Sequence, residues 1–386
     1  MRQLMTFAPS QSMRAPTALA VATVMTLVMS SAAAAVSPNA PTLPGTLRSI
    51  GSTVPKNGDV NPYGMALVQQ STGRLIAGDV LISNFNNAKN LQGTGTTIVQ
   101  VSPAGSKTLF ATIDARSLPG TCPGGVGLTT ALSVFKSGWV VVGSLPSNTG
   151  KAANAKAGCL LVLDRNGKVV ETWSGRGING PWDMTATEQG STASLFVTNV
   201  LNGTVAGKGK VVRQGTVVRL DLSLPSGKPP LLTKSTVIGS GFPERTDPAA
   251  LVVGPTGVGV GSAGQLYVAD TADNKINVIP HAATRTNSAG EGTTLTSAGA
   301  LNNPLGVFVA PSGAVLTVNA GDGKMVVTNP AGKQIGAAML DASGSPKGAG
   351  ALFGLVLAKS GLLFFVDDAT NTFDSFTSSK LRGLTS

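Results

Sequence analysis

Short apolar runs recur along the whole chain, separated by turns rich in Gly, Asn and Pro. The clearest run is GQLYVAD, Gly264 to Asp270. It returns as GDVLISN ending at Asn84, GWVVVGS at Ser144, ASLFVTN at Asn199, GAVLTVN at Asn319 and GLLFFVD at Asp367. Upstream of each stands a second shared piece: Pro62-Tyr63-Gly64, Val126-Gly127, Pro181-Trp182-Asp183, Pro255-Thr256-Gly257, Pro304-Leu305-Gly306 and Phe353-Gly354. Each of these leads into an apolar strand. Downstream come third strands such as CLLVLD from Cys159 and TVVRLD from Thr216, several followed by a turn and a fourth run. Six repeats of four short strands, at about the length of one propeller blade each, predict an all-β, six-bladed β-propeller.

Burial explains the repetition. One four-stranded blade cannot hide both faces, so blades stack radially and cover one another. The last repeat ends soon after TFDSFT and lacks an outer strand. The segment Thr46 to Val54 has no partner in its own register, and is expected to pair with the last blade and close the ring.

The stretch from Gly254 to Ile279, GPTGVGVGSAGQLYVADTADNKINVI, resembles an NHL repeat. Blade four carries the Pro-x-Gly-Val, Gly-x-Leu-Tyr-Val-Ala-Asp and Asn-x-Ile-x-Val pieces of that pattern, blades five and six match in part, and the others match by period. The resemblance implies a six-bladed propeller over residues 46–386. It implies little about activity, since similar propellers serve as interaction platforms, lyases and lactonase-like hydrolases.

The first 35 residues read as a secretory signal peptide: Arg2 and Arg14, then the apolar run Ala18 to Met29, then small residues through Ala35. Residues 36–45 read as a linker. The expected location is periplasmic or extracellular, with no transmembrane segment after cleavage. The chain is basic, with 29 Lys+Arg against 18 Asp+Glu. It lacks the Lys/Arg blocks of a nucleic-acid binder, so no nucleic-acid partner is expected. A single His and two Cys exclude multi-histidine metal sites and four-cysteine zinc sites.

Some motifs dissolve in context. Gly259 to Gly264 spells G-x-G-x-x-G but runs into a strand, whereas a dinucleotide site needs a helix there. Gly207-Lys208 is followed by Gly209 instead of Ser or Thr, so it is no phosphate loop. His281 is a lone residue after a third strand. The short polar residues that end the second strands are read as caps for the following turns.

Asp183 is the sharpest candidate. It stands at the start of an innermost strand, beside Trp182, where the other repeats carry Gly. A carboxylate there would bind a cation, pair with Arg176 or act as a base. Asn61 and Asn303 precede the prolines of blades one and five and are placed near the same channel mouth. One carboxylate and two amides are few for calcium, which takes six to eight oxygens. No cofactor is expected, with calcium the one cation left open. Blades one to three carry long loops after their second strands. These hold Asn86 and Lys89, Lys156, and Lys208, and they share one face of the disc. The leading reading is a binding module for a protein, peptide or envelope glycan on those loops. The alternative is a cation-assisted hydrolase or lyase at the channel mouth. Cys122, between blades one and two, and Cys159, opening a third strand, are expected to meet on that face as a disulfide.

Overall fold

The computed structural model describes residues 40–248 and 250–385; the proposed signal peptide lies outside them. Blade one comprises β2 (Val60–Leu67), β3 (Val80–Asn86), β4 (Thr97–Val101) and β5 (Lys107–Thr112). Blade two comprises β6 (Leu128–Val134), β7 (Val140–Ser144), β8 (Cys159–Leu163) and β9 (Val169–Trp173). Blade three comprises β10 (Pro181–Gln189), β11 (Thr192–Asn199), β12 (Val212–Ser223), the long β13 (Leu231–Asp247) and the short β14 (Leu251–Val253). Blade four comprises β15 (Pro255–Val260), β16 (Leu266–Asp270), β17 (Lys275–Ile279) and β18 (Thr293–Ser297). Blade five comprises β19 (Pro304–Val309), β20 (Val315–Asn319), β21 (Lys324–Thr328) and β22 (Gln334–Met339). Blade six comprises β23 (Leu352–Leu357), β24 (Leu362–Asp367) and β25 (Thr372–Thr377). Its fourth strand is β1 (Thr46–Ser52), antiparallel to β25 with Thr46 opposite Thr377, so the ring closes as expected.

Alternation along the second strands packs the blades. In β3, Val80 and Ile82 join the apolar cluster against blade six, while Leu81 joins the cluster against blade two. In β16, Leu266 and Val268 face blade three, and Tyr267 and Ala269 face blade five. Side chains of a strand alternate between its faces. A blade covered on both faces therefore needs apolar residues at every position, which is why these runs read as continuous.

Four departures from the sequence reading matter. Gly127 precedes β6 and is not on it. Leu128 lies opposite Ser144 and Leu132 opposite Val142, one residue more than in blade three, where Pro181 faces Asn199 and Met184 faces Val197. That register gives Ala131 the place of Asp183 in blade two. Blade three has a fifth strand, because β13 runs beyond its partner β12 and folds back through β14. Part of the 36–45 segment is also held: Leu43 N donates to Ala337 O and Ala337 N donates to Pro41 O, against the outer strand of blade five. A short α1 (Ser379–Arg382) follows blade six, and Ser312 N donates to the Leu384 carbonyl beyond it.

Candidate functional site

The innermost strands surround a central channel. Where Gly stands at their starts, blades meet at backbone distance: a Cβ on Gly257 would lie 2.0 Å from Leu305 O, one on Gly306 2.1 Å from Phe353 O, and one on Gly354 2.4 Å from Tyr63 O. Gly is needed there for close approach. Blade three breaks the rule with Asp183. Its Oδ2 accepts the N–H of Val258 from blade four at 3.0 Å, and its Oδ1 accepts the following Met184 N–H at 2.8 Å. The carboxyl group thus caps a free inner-edge N–H across the seam instead of pairing with Arg176. Burial pushes its pKa up to about 8, against the pull of the Val258 and Met184 N–H groups. A cavity of about 380 Å³ faces it, with Met65, Leu132, Met184, Val307 and Leu355 among its walls, and reaches Gln69 and Lys359 at the far ends of the inner strands.

The other end of the channel is covered. Tyr63, Trp182 and Phe353, one residue before the Gly/Asp position of their blades, converge there. Tyr63 stacks on Phe353 with centroids 3.7 Å apart and on Phe85 at 4.5 Å, and Trp182 lies 6.5 Å from Tyr63. All four rings are buried. The β13–β14 return closes over them, with Trp182 Nε1 donating to Val252 O at 3.3 Å. Leu145, Ala155, Val200 and Leu201, from the long loops of blades two and three, pack into the same cluster. The inner parts of these loops are therefore a cover for the channel, and Trp182 is inside it.

Of the remaining candidates, Asn61 and Asn86 are brought together and buried. The Asn61 amide, with its nitrogen toward Asp368, donates to both of that carboxylate's oxygens and accepts from Asn86 Nδ2 at 2.9 Å. Asp368 is raised to about 7 by burial and by its neighbour Asp367. Asn303 is exposed, and its N–H donates to Asn274 Oδ1; no hydrogen bond among the described residues joins it to Asn61 or Asp183. Lys89, Lys156 and Lys208 are exposed on their loops, each with its backbone N–H bonded within the loop: Lys89 and Lys208 in turns, Lys156 to the Pro146 carbonyl. They make no salt bridge among the described residues.

The polar residues ending second strands do cap, but not always forward. Asp270 and Asp367 accept N–H groups of the next turn, from Asp273 and Thr370. Asn199 and Ser144 instead accept from Asn179 N and Gly127 N in the connection that precedes their own blade. His281 is exposed. Cys122 and Cys159 form the expected disulfide, with Cα atoms 5.2 Å apart.

Sequence reasoning passed over one acidic group. Asp270, Asp273 and Glu291 offer carboxylate oxygens within 4.8 Å of one another, a geometry able to hold a metal ion. Lys275 Nζ already lies among them, at 3.4, 3.1 and 2.9 Å, and Arg213 pairs with Asp273 and Glu291. An ion would have to displace that ammonium.

No family model matches the chain, and no curated protein matches its sequence. In structure it is similar to a gluconolactonase from Xanthomonas campestris, 12% identical with a TM-score of 0.53, over 89% of this chain and 97% of that one. It is similar to the calcium-binding protein regucalcin from Agrobacterium tumefaciens, 13% identical with a TM-score of 0.54, over 88% and 96% of the two chains. A luciferin-regenerating enzyme is also similar, 10% identical with a TM-score of 0.55, over 87% and 96%. What this chain shares with the three is the six-bladed β-propeller fold.

Proposed function

We propose that the protein takes a small molecule into its central channel, from the face opposite the long loops, and that Asp183 exchanges a proton with it. One observation carries this reading: a single carboxyl group, raised to about 8, buried at the covered end of a mostly apolar cavity of about 380 Å³. Concave apolar walls with few convergent polar groups are the usual form of a small-molecule site. An acid whose pKa stands near the working pH suits general acid–base catalysis. The reaction class supported is proton transfer, in a lyase or an acid-assisted hydrolytic step. Thr130, Ser133 and Thr185 offer hydroxyls on the walls, but the chain's one histidine is exposed outside the channel and cannot activate them. The fold is no bar to chemistry, since a gluconolactonase and a luciferin-regenerating enzyme have it.

Cation assistance at Asp183 fits less well. Both of its oxygens already accept a backbone N–H, and the other side-chain oxygens on the walls are neutral among the described residues. That is a poor set for calcium. Turnover of a panel of small lactones, esters and β-eliminable substrates tests the proposal. The expected result is a pH–rate break near 8 that disappears in Asp183→Asn. Equal rates and equal profiles in both proteins would remove Asp183 from the chemistry.

A second reading rests on Lys89, Lys156 and Lys208, exposed and without ionic partners among the described residues. They favour binding of an anionic envelope glycan or peptide on the loop face. Recovery from envelope fractions by a variant with all three changed to Gln tests it; undiminished recovery would count against it. The disulfide supports export to an oxidising compartment for either role.

A further inference from the structure

The channel does not end as a plain hole. At its open end a second cavity, of about 790 Å³, lies between blades six and one, with Leu362 and Phe364 of β24 and Val68 of blade one among its walls. The two cavities share Leu67, Gln69, Ala358 and Lys359 as walls, so they adjoin. Two ammonium groups border this second space: Lys136, in the turn after β6, and Lys359, in the turn after β23. Neither makes a salt bridge among the described residues. Among the described residues, no carboxylate lines it. Glu188 reaches the rim, where its Oε2 accepts the Lys136 N–H at 2.9 Å, but it lines neither cavity.

From this we infer the class of molecule the channel takes: a narrow amphiphile with an acidic head, an apolar body and a neutral oxygen at its far end. The inference rests on the channel being the working site. The head would lie between Lys136 and Lys359, where charge-assisted hydrogen bonds are stronger than neutral ones. The body would run along Met65, Leu132, Met184 and Leu355. At the covered end a second anion would be unfavourable, because among the described residues no cation stands beside Asp183. A hydroxyl or carbonyl oxygen fits instead, accepting a hydrogen bond from the protonated carboxyl group. From Gly354 the inner strand runs to Leu357 and Lys359 follows in the turn, so the five-residue step from Gly354 to Lys359 sets an upper limit on the span. At 3.3 Å per residue it is about 16 Å.

Isothermal titration of the mature chain with ω-hydroxydodecanoate, dodecanediol and dodecylamine tests the inference, using wild type and the Lys136→Gln/Lys359→Gln double variant. Both lysines are exposed, so the double variant should melt as the wild type does. The expected result is binding of the hydroxy acid that weakens at least tenfold in the double variant and at raised salt. The diol should bind weakly and equally to both proteins. Equal affinity of the hydroxy acid for both proteins, or preference for the amine, would overturn the assignment of the head group and leave the channel reading standing. Failure of all three probes to bind either protein would overturn both the inference and the channel reading.

Discussion

Replacing Asp183 by Asn should invert its effect on stability between acid and alkaline pH. The native carboxyl group is raised from 3.8 to about 8 by burial. Between those values the unfolded chain has lost the proton and the folded chain keeps it. Wild-type stability therefore falls as pH rises, by about 1.4 kcal/mol per pH unit from this group alone. By pH 8 the loss reaches about 5 kcal/mol. Asn does not titrate, but its single oxygen can accept only one of the N–H groups of Met184 and Val258. The amide nitrogen then faces the other, at a cost of about 1–2 kcal/mol. The variant should be the less stable protein near pH 4, match wild type near pH 5, and exceed it by about 3–4 kcal/mol at pH 8. For a propeller of this length the unfolding entropy corresponds to roughly 0.7 kcal/mol per degree, so the gap at pH 8 is about 5 °C in Tm. The other buried acids, Glu244, Asp270, Asp367 and Asp368, are raised in both proteins and cancel in the difference. Paired thermal melts from pH 4 to 9 are the assay. A Tm difference that stays constant over this range would show that Asp183 is ionised in the native channel, and the reasoning would fail.

Other outcomes follow from the packing. Cys122→Ala/Cys159→Ala opens a loop of 37 residues and should cost about 4 kcal/mol on the chain-entropy model, read by urea unfolding of oxidised wild type against the variant. Gly306→Ala would put a Cβ 2.1 Å from the Phe353 carbonyl oxygen and should cost about 3 kcal/mol, whereas Gly51→Ala, with 3.7 Å to its nearest neighbour, should cost under about 1 kcal/mol. A chain that starts after β1 leaves the β25 edge unpaired. It should lose single-transition unfolding and self-associate in sedimentation, while a monomer with wild-type melting would refute the closure role.

Much of the architecture was legible before the structure because both faces of every blade are buried. The second strands then become continuous apolar runs at a steady period, and a missing outer strand in blade six points directly at Thr46–Ser52. The disulfide was legible for a similar reason, since up-and-down strand order puts Cys122 and Cys159 on one face. What escaped notice depends on single-residue register and on contacts between blades. The extra residue in β6 moves Gly127 out of the equivalent position, and no local signal marks it. The fold-back of β13 through β14 looks like a long fourth strand in sequence. The aromatic cover was in principle findable, because Tyr63, Trp182 and Phe353 each stand one place before the Gly/Asp position. Asp183 was singled out for standing where Gly is the rule. Its partner was not foreseeable, because Val258 N is a backbone group of the next blade. The lysines at the open end carry no sequence signal, because Lys136 and Lys359 lie in short turns, after β6 and β23, on the face opposite the long loops.

The claim that the channel is the working site, and the loop face is not, is tested most directly by filling the channel. Ala186, half-buried on β10 and part of the channel wall, can be changed to Trp. Native mass spectrometry of the purified protein, after incubation with small molecules extracted from the envelope, then reads what each protein retains. The expected result is a retained species in wild type and in the Lys89→Gln/Lys156→Gln/Lys208→Gln variant that is absent from Ala186→Trp. Retention by Ala186→Trp, with loss in the triple-lysine variant, would contradict the claim and return function to the loops.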